Sequence, residues 1–265
     1  MATQERGKFV WYELLTTDPN ASIPFYHDVV GWDTQKFEGA GVPYTMWVNG
    51  EAPIGGVMAL PDEAREQGAP PNWLAYVSTP DVDATVKRAK ELGGDVKAPP
   101  MDIPNVGRMA VLSDPQGAVF AVYKPSEEAP GHEGEPQKGE FSWHELATTD
   151  ADSAFDFYRD LFGWEKQDQF DMGQAGVYQI YGRKAAGDQA VPLGGMYRKP
   201  EEMPAPPHWM LYVRVDDVHE GVERVKRAGG QVLNGPMEVP GGDYIAQCMD
   251  PQGAMFALHS RGKSD

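Results

Sequence analysis

The chain has 265 residues and carries 23 Lys and Arg against 40 Asp and Glu, a formal charge of −17 at pH 7. That surplus repels phosphate backbones and anionic bilayers, so neither nucleic acid nor membrane is expected as a partner. The single cysteine, Cys248, excludes an internal disulfide and Cys-x-x-Cys chemistry and is expected to be a buried structural thiol. No apolar run reaches the roughly 20 residues of a bilayer span, and Met1-Ala2-Thr3-Gln4-Glu5-Arg6 lacks a signal-peptide core, so a cytoplasmic location is expected.

In chain order, Phe9-Val10-Trp11-Tyr12-Glu13-Leu14 reads as a first strand, followed by a helix that opens with Asp18 as cap and Pro19 at its first position. Tyr26, Val29 and Val30 give that helix one apolar face, and Gly31 ends it. Tyr44 to Val48 and Ala52 to Leu60 flank Asn49-Gly50, a two-residue hairpin signal. A second helix is expected over about Val82 to Leu92, stopped by Gly93-Gly94. Asp114-Pro115-Gln116-Gly117 suits a type I turn between strands at Gly107 to Leu112 and Val119 to Tyr123. Pro125 to Lys138, dense in Pro, Gly and Glu, reads as a solvated linker.

The series then starts again. Phe141-Ser142-Trp143-His144-Glu145-Leu146 repeats the first strand, Asp150 caps a helix with Phe155, Tyr158, Leu161 and Phe162 on one face and Gly163 at its end, and Val218 to Ala228 repeats the second helix. Asp114 to Ala118 returns verbatim at Asp250 to Ala254. The offset is 132 from Glu13 to Glu145 and 136 from Asp114 to Asp250, so the copies share one order of elements and differ in loop length. The organisation expected is a domain over 8–124, a linker over 125–138 and a domain over 139–260, each large enough to fold alone. A weaker repeat inside each half predicts βαβββ-βαβββ, an α+β class in which two modules form curved, mostly antiparallel half-barrel sheets with helices outside.

Period-two alternation puts Trp11 with Glu13, and Trp143 with Glu145, on one strand face. Tyr76 and Ser78, Tyr212 and Arg214, and Tyr123 and His259 are expected on the same concave faces. An aromatic lining with a few polar anchors suits a small organic ligand, although Trp11 and Trp143 are equally readable as core aromatics. A carboxylate on an inward face needs a partner. For Glu13 and Glu145 that is an arginine such as Arg108 or Arg214, a tyrosine hydroxyl, or a substrate from which the glutamate, as general base, takes a proton alpha to a carbonyl. His144, His208 and His259 are read as ordinary surface or core histidines, with an irregular metal site as the alternative.

The module order, Phe25-Tyr26 and Gly31-Trp32 with Phe157-Tyr158 and Gly163-Trp164, Val-Asp-Asp-Val at Val215 to Val218, and the two Asp-Pro-Gln-Gly-Ala turns together resemble the vicinal oxygen chelate superfamily of glyoxalases, bleomycin-resistance proteins and extradiol dioxygenases. Trp-x-Glu-Leu, Asp102 to Arg108 and Leu112 to Ala118 further resemble tandem glyoxalase-like proteins of actinobacteria, labelled hydroxylases or Cfp30B-type antigens. The resemblance implies lyase, isomerase or hydroxylase chemistry, or sequestration of a drug or natural product. It also implies a divalent ion held by His or Glu on the first and last strands of each module. Here those positions read Trp11, Leu74 and Ala121, then Trp143, Met210 and Ala257, with Ile54-Gly55-Gly56-Val57 and Leu193-Gly194-Gly195-Met196 on the closing strands. None is a customary ligand, so no cofactor is expected. A divalent-metal glyoxalase or dioxygenase is the alternative. The expected partner is a small molecule, the chain acting as a monomer of two fused domains or as a homodimer.

Overall fold

Residues 6–39, 44–126, 134–173, 176–184 and 190–262 are described, in a computed structural model. The first half runs β1 (Phe9–Thr16), α1 (Pro19–Val30), β2 (Asp33–Phe37), β3 (Tyr44–Asn49), β4 (Ala52–Ala59), α2 (Asp62–Glu66), β5 (Asn72–Ser78), α3 (Val82–Glu91), β6 (Asp95–Ile103), β7 (Gly107–Ser113) and β8 (Val119–Pro125). The second runs β9 (Phe141–Thr148), α4 (Ala151–Phe162), β10 (Glu165–Asp171), β11 (Val177–Lys184), β12 (Ala190–Arg198), β13 (His208–Arg214), α5 (Val218–Arg227), β14 (Gln231–Glu238), β15 (Tyr244–Met249) and β16 (Met255–Ser260). Each half builds one eight-stranded sheet, in the orders β2-β3-β4-β1-β5-β8-β7-β6 and β10-β11-β12-β9-β13-β16-β15-β14. Strands pair antiparallel except where β4 meets β1 and β5 meets β8, and at the matching joins of the second sheet. The α+β class and tandem curved sheets are as expected.

Local chemistry explains the boundaries. Asp18 and Asp150 accept from the amides of Ala21 and Ser153 at 3.1 and 3.0 Å, satisfying donors that the first helical turn leaves open. Gly31 and Gly163 follow with φ of 94° and 77°, the left-handed conformation that closes a helix. Of the linker, residues 127–133 lie outside the described region. Pro125 belongs to β8, while Lys138 pairs with Asp216 and its carbonyl accepts from Asn49 Nδ2, so the end of the linker is fastened to both halves.

The buried apolar cluster runs without a break through both halves. α1 packs on β1 and β4 of its own sheet and at the same time against α5 of the other half, with Phe25 edge-on to Phe256 at 5.8 Å. α4 does the same from the second half, resting on β9 and β12 and meeting α3, with Phe157 and Tyr158 facing Phe120 at 6.2 and 5.4 Å. The repeated turns receive these helices: Tyr26 donates to Asp250 Oδ2 at 3.2 Å and Tyr158 to Asp114 Oδ2 at 3.1 Å. Gln252 and Gln116 accept from Ser22 and Thr148 of the opposite half. Trp32 and Trp164 donate across to the carbonyls of Gly139 and Gly7 at 2.7 and 2.8 Å. Cys248 is buried in this core, which pushes its thiol up to about 12 and keeps it unreactive.

Tyr12 and His144 are equivalent residues of the two copies, and they touch: Tyr12 Oη and His144 Nε2 are 2.7 Å apart. Phe9 stacks on His144 at 3.6 Å and Phe141 on Tyr12 at 3.8 Å, so four rings line the pseudo-twofold axis. His144 Nδ1 lies 2.8 Å from the Leu193 carbonyl, which only accepts; Nδ1 therefore carries the proton and Nε2 accepts from Tyr12. This histidine thus belongs to the core.

Burial lowers the His144 pKa to about 4, outweighing the hydrogen bond to Leu193 that favours the cation. The unfolded chain titrates near the ordinary 6.5, so this stabilisation is complete above that value and is withdrawn as pH falls toward 4, by roughly 3 kcal/mol in all. Buried carboxylates such as Glu145 act in the opposite sense. The contribution is therefore isolated by comparison with His144→Gln, which cannot take a proton. In urea titrations the stability gap between wild type and variant should narrow by about 3 kcal/mol between pH 7 and 4. A gap independent of pH would show that His144 is not held neutral.

Candidate functional site

The inward face of each sheet carries its own small apolar cluster: Leu74, Tyr76, Met109 and Ala121 with Val10, Trp11 and Tyr123 in the first, and Met210, Tyr212 and Ala257 with Trp143, Ile245 and Met255 in the second. Leu14, His144 and Leu146, of opposite parity on the same strands, belong to the inter-half core or its axis. Alternation thus sends Glu13 and Glu145 into the concave faces, 6% and 7% exposed.

Tyrosines, and not arginines, meet these carboxylates. Tyr76 donates to Glu13 Oε2 at 2.7 Å, and Tyr44, which accepts from Trp11 Nε1 at 3.0 Å, donates to the same group. In the second cup Tyr178 donates to Glu145 Oε2 at 2.9 Å, Tyr212 to Oε1 at 3.0 Å, and Gln247 Nε2 to Oε1 at 3.3 Å. Trp143 Nε1 donates to Tyr178 at 2.8 Å. Desolvation raises both glutamates above the usual carboxylate range; the hydroxyl and amide donors pull the other way without cancelling it. Arg108 is instead spent on Asp83 and Asp102 at the surface, and Arg214 sits with its charge acting on Asp243.

The Gly-Gly pairs of β4 and β12 make this possible. Gly56 and Gly195 lie beside Glu13 and Glu145 in the parallel pairing, and a Cβ on either would overlap the phenol of Tyr44 or Tyr178 crossing over it. Gly55 and Gly194 face the other way, where a Cβ would strike the carbonyls of Tyr12 and His144. One glycine therefore admits the inward tyrosine and its neighbour admits the axial strand.

The cups differ along one edge. Tyr123 Oη donates to the Val106 carbonyl at 2.9 Å, whereas its counterpart His259 lies 2.8 Å from Ser142 Oγ and 2.9 Å from Asp243 Oδ2. Gln247 stands where the first cup has Val111, and Ser142 where it has Val10. The expected residues Trp11, Glu13 and Tyr76, and Trp143, Glu145 and Tyr212, come together; Tyr123, His259 and Arg214 lie toward the strand ends. Tyr44, Tyr178 and Gln247 escaped the sequence reading. Only the paired glycines opposite each glutamate hinted at an incoming ring.

The family model for the glyoxalase/bleomycin resistance protein/dioxygenase superfamily matches residues 8–122 and again 141–258. The chain belongs to that superfamily. It is 35% identical over 255 residues to a protein named "Putative glyoxylase CFP32" from Mycobacterium tuberculosis, covering 94% of this chain and 92% of the relative. It is 32% identical over 264 residues to the anthracycline biosynthesis protein DauV of Streptomyces sp. strain C5, covering 95% and 92%. The Mn(II)-bound glyoxalase of Novosphingobium aromaticivorans shares the fold, with a TM-score of 0.66 at 16% identity over 98% of this chain and 84% of the other.

Against the divalent site that this superfamily implies, the donor set is wrong. Trp11, Leu74 and Ala121 converge in one cup and Trp143, Met210 and Ala257 in the other, and the fourth position is a glycine overlain by a tyrosine. Among the described residues no three His, Cys, Asp or Glu side chains come together as ligands would. Each cup offers one carboxylate ringed by hydroxyl donors.

Gly195→Ala tests the glycine argument. The added methyl must displace Tyr178 from Glu145, and a loss of about 1–3 kcal/mol in urea denaturation is expected, as for overpacked interiors. The loss should shrink in a Tyr178→Ala background, where the space is open. An equal loss in both backgrounds would place the clash elsewhere.

Proposed function

We propose that this superfamily member binds a small aromatic or carbonyl-bearing molecule on its concave faces and that Glu145, in the second cup, serves as general base for proton abstraction alpha to a carbonyl, chemistry of the lyase or isomerase kind. The observation that carries this reading is the buried Glu145 carboxylate with three fixed donors. An ionised carboxylate has about four acceptor sites, so one stays open toward the cup. Burial gives it a stronger appetite for a proton than a solvated glutamate has, while Tyr178 and Tyr212 hold it in place. Trp143, Met210 and Ile245 supply apolar area against which an aromatic ligand lies. The Streptomyces relative is named for anthracycline biosynthesis and the mycobacterial relative for a glyoxylase.

Glu13 holds the same place in the first cup. Its flanking positions Val10, Val111 and Tyr123 add no free acid or base, which favours binding without turnover there.

Exchange of carbon-bound protons for deuterium in methylglyoxal or hydroxyacetone, followed by NMR in D2O, tests the proposal. Glu145→Gln should slow protein-dependent exchange by about 10²–10⁴-fold. Because the base must be ionised, exchange should be lost on acidification with a midpoint above the usual carboxylate range. Exchange undiminished in Glu145→Gln rejects the base. Ligand binding without any exchange in wild type leaves sequestration as the function.

A further inference from the structure

We infer that Ser142, His259 and Asp243 form a nucleophilic triad at the strand ends of the second cup, and that it accepts acyl groups from esters, an activity separate from the one proposed for Glu145.

The geometry is continuous from end to end. Ser142 Oγ lies 2.8 Å from His259 Nδ1, and His259 Nε2 lies 2.9 Å from Asp243 Oδ2. Asp243 Oδ1 is in turn fixed by the Gly262 amide at 3.2 Å. Burial pushes the Asp243 carboxyl up, but the bonds from His259 and Gly262 and the charges of His259 and Arg214 outweigh it, so the group stays ionised and accepts only. Nε2 must then donate to it. In the neutral ring that leaves the Nδ1 lone pair facing Ser142, whose hydroxyl donates to it in preference to the Tyr212 carbonyl at 3.3 Å. The ring is reversed relative to the familiar serine hydrolase, but an imidazole offers equivalent acid–base chemistry at both nitrogens.

A bulge supplies the serine. Pairing of β9 with β13 skips from Trp143↔Tyr212 to Phe141↔Val213, so Ser142 is an extra residue, turned toward the edge where His259 stands. The His259 side chain is 17% and the Asp243 side chain 36% exposed, so the group is shielded yet reachable. Trp143, Tyr212 and Ile245 beside it offer an apolar seat for an acyl chain or ring. The first half has the same bulge but places Val10 there and Tyr123 opposite, and so lacks both nucleophile and base.

The step balances within these groups. Ser142 Oγ forms a bond to the acyl carbon as its proton passes to His259 Nδ1, and Asp243 stabilises the resulting imidazolium without taking the proton. The ester's carbon–oxygen bond then breaks, the departing alcohol receives that proton, and water releases the acid by the same route.

The test treats the full chain with a fluorophosphonate probe and with p-nitrophenyl acetate. A single adduct on the peptide carrying Ser142, found by mass spectrometry of the wild-type protein, is expected. Ser142→Ala should abolish it, His259→Asn should slow labelling by about 100-fold or more, and Ser142→Cys should recover acylation by the acetate. No adduct on wild type, an adduct on another residue, or His259→Asn labelled at the wild-type rate would overturn the proposal.

Discussion

The structure depends on the first helix of each half, which is buried between its own sheet and the opposite half across a pseudo-twofold axis. α1 and α4 each bury one side on their own sheet and another against the opposite half, so the two halves share one core. The polar groups carried into that core are matched in pairs: Tyr26 with Asp250 and Trp73, and Tyr158 with Asp114 and Trp209. An aspartate placed there would be costly alone. It is held because two turn amides as well as the phenol donate to it, in each copy of the turn. The Asp-Pro-Gln-Gly motif is thus both a hairpin turn and the socket for the opposite helix.

This arrangement commits one face of β1 and β9 to the interface and thereby frees the other. Tyr12, Leu14, His144 and Leu146 go to the axis and the shared core, so Trp11, Glu13, Trp143 and Glu145 have only the concave faces left to them. A carboxylate in such a place requires donors, and the neighbouring strand supplies them by giving up its own side chains. Gly56 and Gly195 are the vacancies through which Tyr44 and Tyr178 reach across. Each cup therefore presents a buried carboxylate among hydroxyl donors.

The fold was largely legible in the sequence because its signals are local or periodic. Asp caps, terminal glycines, Asn49-Gly50 and the alternation around Glu13 act over a few residues, and all but Asn49-Gly50 recur in the second half. The bridging role of the first helices was not legible: the apolar face of α1 looks the same whether it covers one sheet or also reaches the other half, and the shared core appears only in three dimensions. At the site, alternation placed Trp11 with Glu13 and Trp143 with Glu145 on one strand face. It offered arginine and tyrosine equally as partners for the glutamates, and only three-dimensional pairing separates Arg108, bound to Asp83, from Tyr76, bound to Glu13. Ser142 was hidden for a related reason. Strict period two assigns it to the core face, and the bulge that re-aims it is a property of register between β9 and β13.

Duplication also allows equivalent positions to diverge without disturbing the frame. On the axis, Tyr12 and His144 occupy equivalent positions, and the phenol donates to the neutral imidazole. Along the cup edge the divergence runs from Val10, Val111 and Tyr123 to Ser142, Gln247 and His259. Every one of these changes adds a polar atom to the second cup, and none touches the helix sockets at Asp114 and Asp250. One scaffold thus carries two cups, and the edge of the second bears the Ser142–His259–Asp243 and Gln247 contacts that the first lacks.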